Sequence, residues 1–125
     1  MGNNAMRAGL TGWITALGLP LLVVACGINV AQGRGVYERN CVQCHGDTGL
    51  GDGPFADKLL KPPTDLTVLA RNNGGTFPAM YVTEIIDGHS RSEDFSGAMP
   101  EFGPGLGGEE LQLGPLVDYL ETLQR

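Results

Sequence analysis

Cys41, Cys44 and His45 stand together as C-V-Q-C-H. Two thiols three residues apart fall on one helical turn, and an imidazole follows at once. This spacing suits covalent haem attachment. Each thiol adds to a vinyl group of the macrocycle, giving two thioether bonds, and the adjacent histidine is held under the iron as its proximal nitrogen ligand. Two other chemistries use similar residues. A dithiol redox pair is also C-x-x-C, but it opens a helix after a strand in a βαβ unit, and nothing before Cys41 reads as such a strand. A zinc site needs more ligands, and with Cys26 set aside only His89 remains as a usual nitrogen or sulfur donor. One covalent haem c, bound through Cys41 and Cys44 with His45 on the iron, is the expectation.

The second axial ligand decides what such an iron can do. Met1 and Met6 lie in the extreme N-terminal stretch. Met80 falls in F-P-A-M-Y-V-T-E-I-I-D-G, where Pro78 suits a first helical turn and Gly88 a C-terminal cap. Tyr81, Val82, Ile85 and Ile86 have helical spacing there, so Met80 reads as packing. Met99 lies in S-G-A-M-P-E-F-G, a loop 54 residues after His45 that Pro100 stiffens. It is the candidate distal ligand, against the alternative of ordinary core filling. His89 is the rival, in a polar stretch (H-S-R-S-E-D) that reads as a solvated loop.

The elements that position these residues fit a single small domain. The chain has 125 residues, 42% of them apolar. Its 20 Gly and 8 Pro predict long loops. No convincing strand appears. A first helix is expected from Gly33 to about Gln43, a turn or two from Phe55 to Leu60 ended by Pro62-Pro63, and a short helix from Asp65 to Ala70 capped by Thr64. Asn72 to Gly75 reads as a turn, and residues 102–108 as a loop against the cofactor edge. A last helix falls between Glu109 and Leu123, interrupted by Gly114-Pro115. That pair predicts a kink near Leu113, or a late start with Pro115 in the first turn. Leu116, Leu120 and Leu123 share a face either way.

The formal charge is −6 with eight Lys and Arg, which counts against nucleic-acid binding. From Ala8 to Ala31 there is no charge. A basic tip, an apolar run from Leu10 to Ala25 and then small residues have the order of an export signal. Val23-Val24-Ala25-Cys26-Gly27 resembles a bacterial lipobox, in which the signal is cut before a cysteine that becomes lipidated. The expected organisation is a lipoprotein-type export signal over 1–25, a linker over 26–32 and a haem domain over 33–125. Lipid at Cys26, or an uncleaved N-terminal helix, would tether the domain to the periplasmic side of a bacterial membrane, and ordinary cleavage near Ala31 would export it untethered.

Beyond the haem pattern, residues 33–123 resemble the small class I c-type cytochromes of bacteria. Gly33 and Tyr37 precede Cys41 by eight and four residues, as in that family's first helix. Leu116, Val117, Tyr119 and Leu120 are similar to its last. The resemblance implies an all-α fold of three to five short helices and long loops wrapped around one covalent haem. It implies that these two helices cross closely, with the glycine permitting the approach and the aromatics packing across it. Residues 49–67 are similar to periplasmic members, including domains that serve membrane oxidases and dehydrogenases. Met99-Pro100-Glu101-Phe102 matches the family's distal ligand loop. His45 is expected to donate its other ring nitrogen to a backbone carbonyl, at Pro54 by resemblance, or else at Pro62 or Pro63. Phe55, Leu59, Leu66, Tyr81, Ile85 and Phe102 are candidates to line the pocket.

These readings converge on an electron carrier rather than an enzyme. The expected partners are a redox donor and acceptor, with a membrane oxidase or dehydrogenase among them. Two alternatives stand beside it. One is a haem enzyme or gas sensor with an open distal side. The other is a fixed cytochrome subunit of a larger respiratory complex.

Overall fold

The computed structural model describes residues 19–103 and 113–125, of which residues 19–26 and 28 are described by their backbone alone. Regular structure among these residues is helical, with no strand. The α-helices are α1 (Leu19–Asn40), α2 (Val42–His45), α3 (Leu69–Asn72), α4 (Ala79–Asp87) and α5 (Leu113–Thr122). Two 3-10 turns, Ala56–Lys58 and Leu66–Val68, interrupt the loops. This is the all-α architecture expected.

Helix α1 differs from expectation at both ends. It reaches back beyond Gly33 to Leu19, the first described residue, because the uncharged stretch holds no charge that must leave a helix. It ends at Asn40 rather than Gln43. There the Asn40 amide donates to the Val36 carbonyl (2.8 Å) and competes with the backbone ladder. The chain then restarts as α2, with the amides of Cys44 and His45 both donating to the Cys41 carbonyl.

The core is a crossing of α1 on α5, closed from one side by α4. Val36, Tyr37, Val82, Ile86, Leu116, Val117 and Leu120 form its buried centre. Gly33 makes the crossing possible, since a Cβ there would lie 1.8 Å from the carbonyl oxygen of Pro115. Tyr37, wholly buried, stacks obliquely on Tyr119 with ring centroids 5.4 Å apart. Pro115 lies in the first turn of α5, where its lack of an N–H is harmless. Leu116 and Leu120 are buried on the face towards α1, and Leu123 is packed at its margin. Residues 109–112, expected in this helix, lie outside the described residues.

Helix α4 has the expected boundaries, with Pro78 at its N-cap and a left-handed Gly88 at its C-cap. Its inward face is Val82 and Ile86. Met80, expected to pack, is instead 78% exposed beside an exposed Tyr81. One turn before Glu84 and two positions off the Val82–Ile86 stripe, Met80 faces away from the core. The short turn at Leu66 is capped by Asp65, not Thr64. Asp65 Oδ1 accepts from the Thr67 amide (2.8 Å) and hydroxyl (2.6 Å). Gln124 ties the end of α5 to this turn, donating to the carbonyls of Leu66 and Leu120 and accepting from the Ala70 amide.

Candidate haem cleft

Cys41, Cys44 and His45 occupy a tight turn whose carbonyls are pinned by the loop that follows. The amides of Gly51, Gly53 and Phe55 donate to the carbonyls of His45, Cys44 and Gln43 at 2.9, 3.1 and 2.8 Å. Gly53 sits directly on this turn, and a Cβ there would meet the Val42 and Gln43 oxygens at 2.5 and 2.6 Å. Tyr37 reaches the same turn from α1, its hydroxyl donating to the Gly46 carbonyl at 2.6 Å. Burial raises the Tyr37 phenol, so it stays a donor. Thus the helix crossing and the thiol turn share one side chain.

A cleft open to solvent lies beside this turn. Cys41, Cys44 and His45 form one wall. Facing walls come from Leu59, the Lys61–Thr64 run, and the segment from Phe95 to Phe102 that carries Met99. The cleft therefore brings together Cys41, Cys44, His45 and Met99, from positions 41 to 99 of the chain. Lys61, which lines the cleft, donates its ammonium to the Asp94 carbonyl at 2.6 Å.

The donor set is poised for neutral ligands. His45 Nδ1 lies 3.1 Å from the Thr64 carbonyl, so that nitrogen carries the proton and Nε2 is the free donor. Burial pulls the imidazole below its ordinary value, opposed by that hydrogen bond, and so favours the neutral ring. The acceptor is Thr64 rather than Pro54, Pro62 or Pro63. The loop around Pro54 is committed to the carbonyls of Gln43 and Cys44, while Pro62-Pro63 presents the next carbonyl across the cleft. The Cys41 thiol is pushed up to about 11 by burial and, secondarily, by Cys44 beside it. A dithiol oxidoreductase needs the opposite shift. Among the described residues no group of three or more His, Cys, Asp and Glu side chains could hold a metal ion.

The remaining expectations divide. Leu59 and Phe102 line the cleft as expected. Phe55 and Tyr81 are exposed, Leu66 packs against the helical core, and Ile85 does not reach the cleft. His89 points outward, its Nδ1 2.6 Å from Asp87. The side chain of Cys26 and residues 104–108 of the expected cofactor-edge loop lie outside what is described. Sequence reasoning missed Phe95, and Arg91 behind it. Arg91 lies over the Phe95 ring (4.7 Å) and donates to the carbonyls of Ile85, Met99 and Pro100. Its signal was present only as a lone cation in a polar run.

The fit to a covalent haem is chemical as well as spatial. Two thiols and an imidazole with a free Nε2 line a mainly apolar cleft together with a thioether-bearing segment, while Asn40, Lys61, Thr64 and Ser96 supply its polar lining. Residues 28–120, about three-quarters of the chain, match the family model described as cytochrome c oxidase, cbb3-type, subunit III. No curated protein and no solved structure matches the chain significantly. The chain belongs to that family, and is a cytochrome c domain of the kind that binds haem c covalently and transfers electrons.

Proposed function

We propose that the protein is a membrane-tethered carrier on the periplasmic side of a bacterial membrane, passing one electron at a time between redox proteins. The observation that carries this reading is the single cleft walled by Cys41, Cys44 and His45 on one side and by the Met99 segment on another. When bound there, haem c supplies a one-electron ferrous–ferric couple. Cys41 and Cys44 would hold it by thioether bonds, and His45 would bind the iron through Nε2, its ring fixed by Thr64. Met99, which lines the same cleft, would supply a thioether sulfur to the iron. An iron held by both His45 and Met99 would carry electrons without binding oxygen or a substrate. Thioether sulfur favours the ferrous state. The apolar walls at Leu59, Pro62, Pro63 and Phe102 act in the same direction, since they disfavour the added charge of the ferric state.

Among the described residues no helix is long and apolar enough to cross a membrane. The tether in this reading is lipid on Cys26, from which α1 leads into the domain. Replacing Cys26 by Ser releases the protein into the soluble fraction. Persistence on the membrane with an uncleaved N-terminus replaces the lipid with a helical anchor.

The family match favours a second arrangement of the same chemistry, in which the domain is a fixed subunit of a respiratory oxidase assembly. Stable co-purification with an oxidase at high salt supports the subunit, and its absence the mobile carrier. The site itself is tested by visible and near-infrared spectra with and without carbon monoxide. A sulfur-to-ferric-iron charge-transfer band, lost in Met99→Ala together with gain of rapid CO binding, is expected. Rapid CO binding by the unaltered protein, with no such band, overturns the closed site in favour of a gas sensor or enzyme.

A further inference from the structure

Helix α4 ends beside the segment that bears Met99; Met99 and Phe102 pack against the core to which α4 contributes, and hydrogen bonds to carbonyl groups join the backbones. The last turn of a helix leaves its carbonyls without intrahelical partners. In α4, the Glu84 carbonyl takes the amides of Gly88 and His89. The next two are satisfied from the Met99 segment and its neck. Ile85 accepts from Arg91 Nε at 2.9 Å, and Ile86 accepts from the Phe102 amide at 2.9 Å. Arg91 does more than cap. Its Nη1 donates to the Met99 carbonyl at 2.9 Å and its Nη2 to the Pro100 carbonyl at 2.7 Å. The guanidinium carbon also lies 4.7 Å from the centre of the Phe95 ring, a cation–π contact that adds to its hold on the segment.

We propose that Arg91 is the positioning residue for the distal sulfur: one guanidinium bolts the backbone of Met99 and Pro100 to the C-terminus of α4, fixing where the Met99 thioether can reach. The proposal rests on the reading of Met99 as distal ligand. A planar fork with five donors is needed to serve three carbonyls at once, and a lysine ammonium cannot span them. A second tie lies further along the segment, where the Phe102 amide donates to the Ile86 carbonyl and Met99 and Phe102 pack against the core, but the Met99 and Pro100 carbonyls themselves are taken by Arg91. The Met99 amide donates only to the Ser96 carbonyl within its own loop (3.2 Å), and Lys61 holds the loop at Asp94, on the far side of Phe95. Helix α4 is in turn part of the buried core through Val82 and Ile86. Arg91 therefore refers the ligand loop to the rigid part of the molecule.

The test uses the full-length protein carrying its haem, as Arg91→Lys and Arg91→Gln beside the unaltered chain and Met99→Ala. Lysine keeps the charge and loses the fork, and glutamine loses both. Each lost hydrogen bond from a charged donor shifts the closed-to-open balance by roughly tenfold. Both variants are expected to keep covalent haem and full helicity. Both should lose most of the near-infrared sulfur band and bind CO in the reduced state about tenfold faster or more, approaching Met99→Ala. An unchanged band and CO rate in Arg91→Lys overturn the proposal, because charge alone then suffices. Loss of haem or helicity in Arg91→Lys also overturns it, by showing a folding role. If the unaltered protein lacks the band, or Met99→Ala keeps it, the distal assignment itself has failed, which is a separate result.

Discussion

Gly33 and Gly53 both sit where one backbone presses on another, yet they belong to regions built by different means. At Gly33 two long helices cross, and the contact is backed by buried apolar side chains on both. At Gly53 a loop lies on the thiol turn, and the contact is a set of amides meeting carbonyls. The crossing holds itself together by burying hydrocarbon and is complete without a cofactor. The cleft has no such centre. Its walls are braced from behind by hydrogen bonds and leave their apolar faces to whatever fills the space. A small chain rich in Gly and Pro has too little side-chain volume for two cores. One core is made of protein here, and the other is made around the cofactor.

That contrast can be broken from either side. Gly33→Ala drives a Cβ into the Pro115 carbonyl, and backbone cannot step aside. It should cost about 3 kcal/mol of stability, read as a lowered denaturant midpoint, while the folded fraction keeps its haem spectrum. Gly53→Ala should do the reverse in proportion. A loss of about 2 kcal/mol should come with an altered spectrum and shifted reduction potential, since the turn holding Cys44 and His45 must move. Equal spectral change in both variants would erase the distinction between the regions. Tyr37→Phe probes the one side chain that joins them. Removing its bond to Gly46 should cost about 1 kcal/mol, with a slight spectral shift and no change in haem content. The smallest effect belongs to Asp65, at the outer edge of the loop wall. The Thr67 hydroxyl and amide, then Arg125, hold its carboxyl below the ordinary value. A depressed carboxylate stabilises the fold above its unfolded value of 3.8, and that contribution fades as pH falls below it. Asp65→Asn should therefore be less stable near neutral pH, with the gap to the unaltered protein closing at about pH 3 and below.

The two regions were also unequally legible. The crossing could be read because its determinants are side chains: Gly33 and Tyr37 at fixed offsets from Cys41, and Leu116, Val117 and Leu120 at helical spacing. The bounds of α4 were marked by Pro78 and Gly88. In the cleft, the residues with distinctive chemistry were visible, and the structure gathers Cys41, Cys44, His45 and Met99 around one space. Their supports were not visible. Arg91 looked like one member of a solvated polar run, because only the folded loop reveals that three carbonyls converge on it. Met80 was misplaced because an apolar residue in the first turn of a short helix has little periodicity to fix its side. The end of α1 was misjudged because Asn40 competes with the backbone through its own side-chain amide, which donates to the Val36 carbonyl.

The brace behind His45 is the main-chain oxygen of Thr64, whose side chain is exposed. The same holds for the carbonyls of Met99 and Pro100 beneath Arg91. Every amino acid carries a main-chain oxygen, so replacing Thr64 by almost any residue leaves this support in place. Substitution scanning would score such a position as neutral, and drift could rewrite it freely while the imidazole stayed oriented. Only a change in the path of the chain, such as loss of the Pro62-Pro63 stiffening before it, would make the support visible to selection.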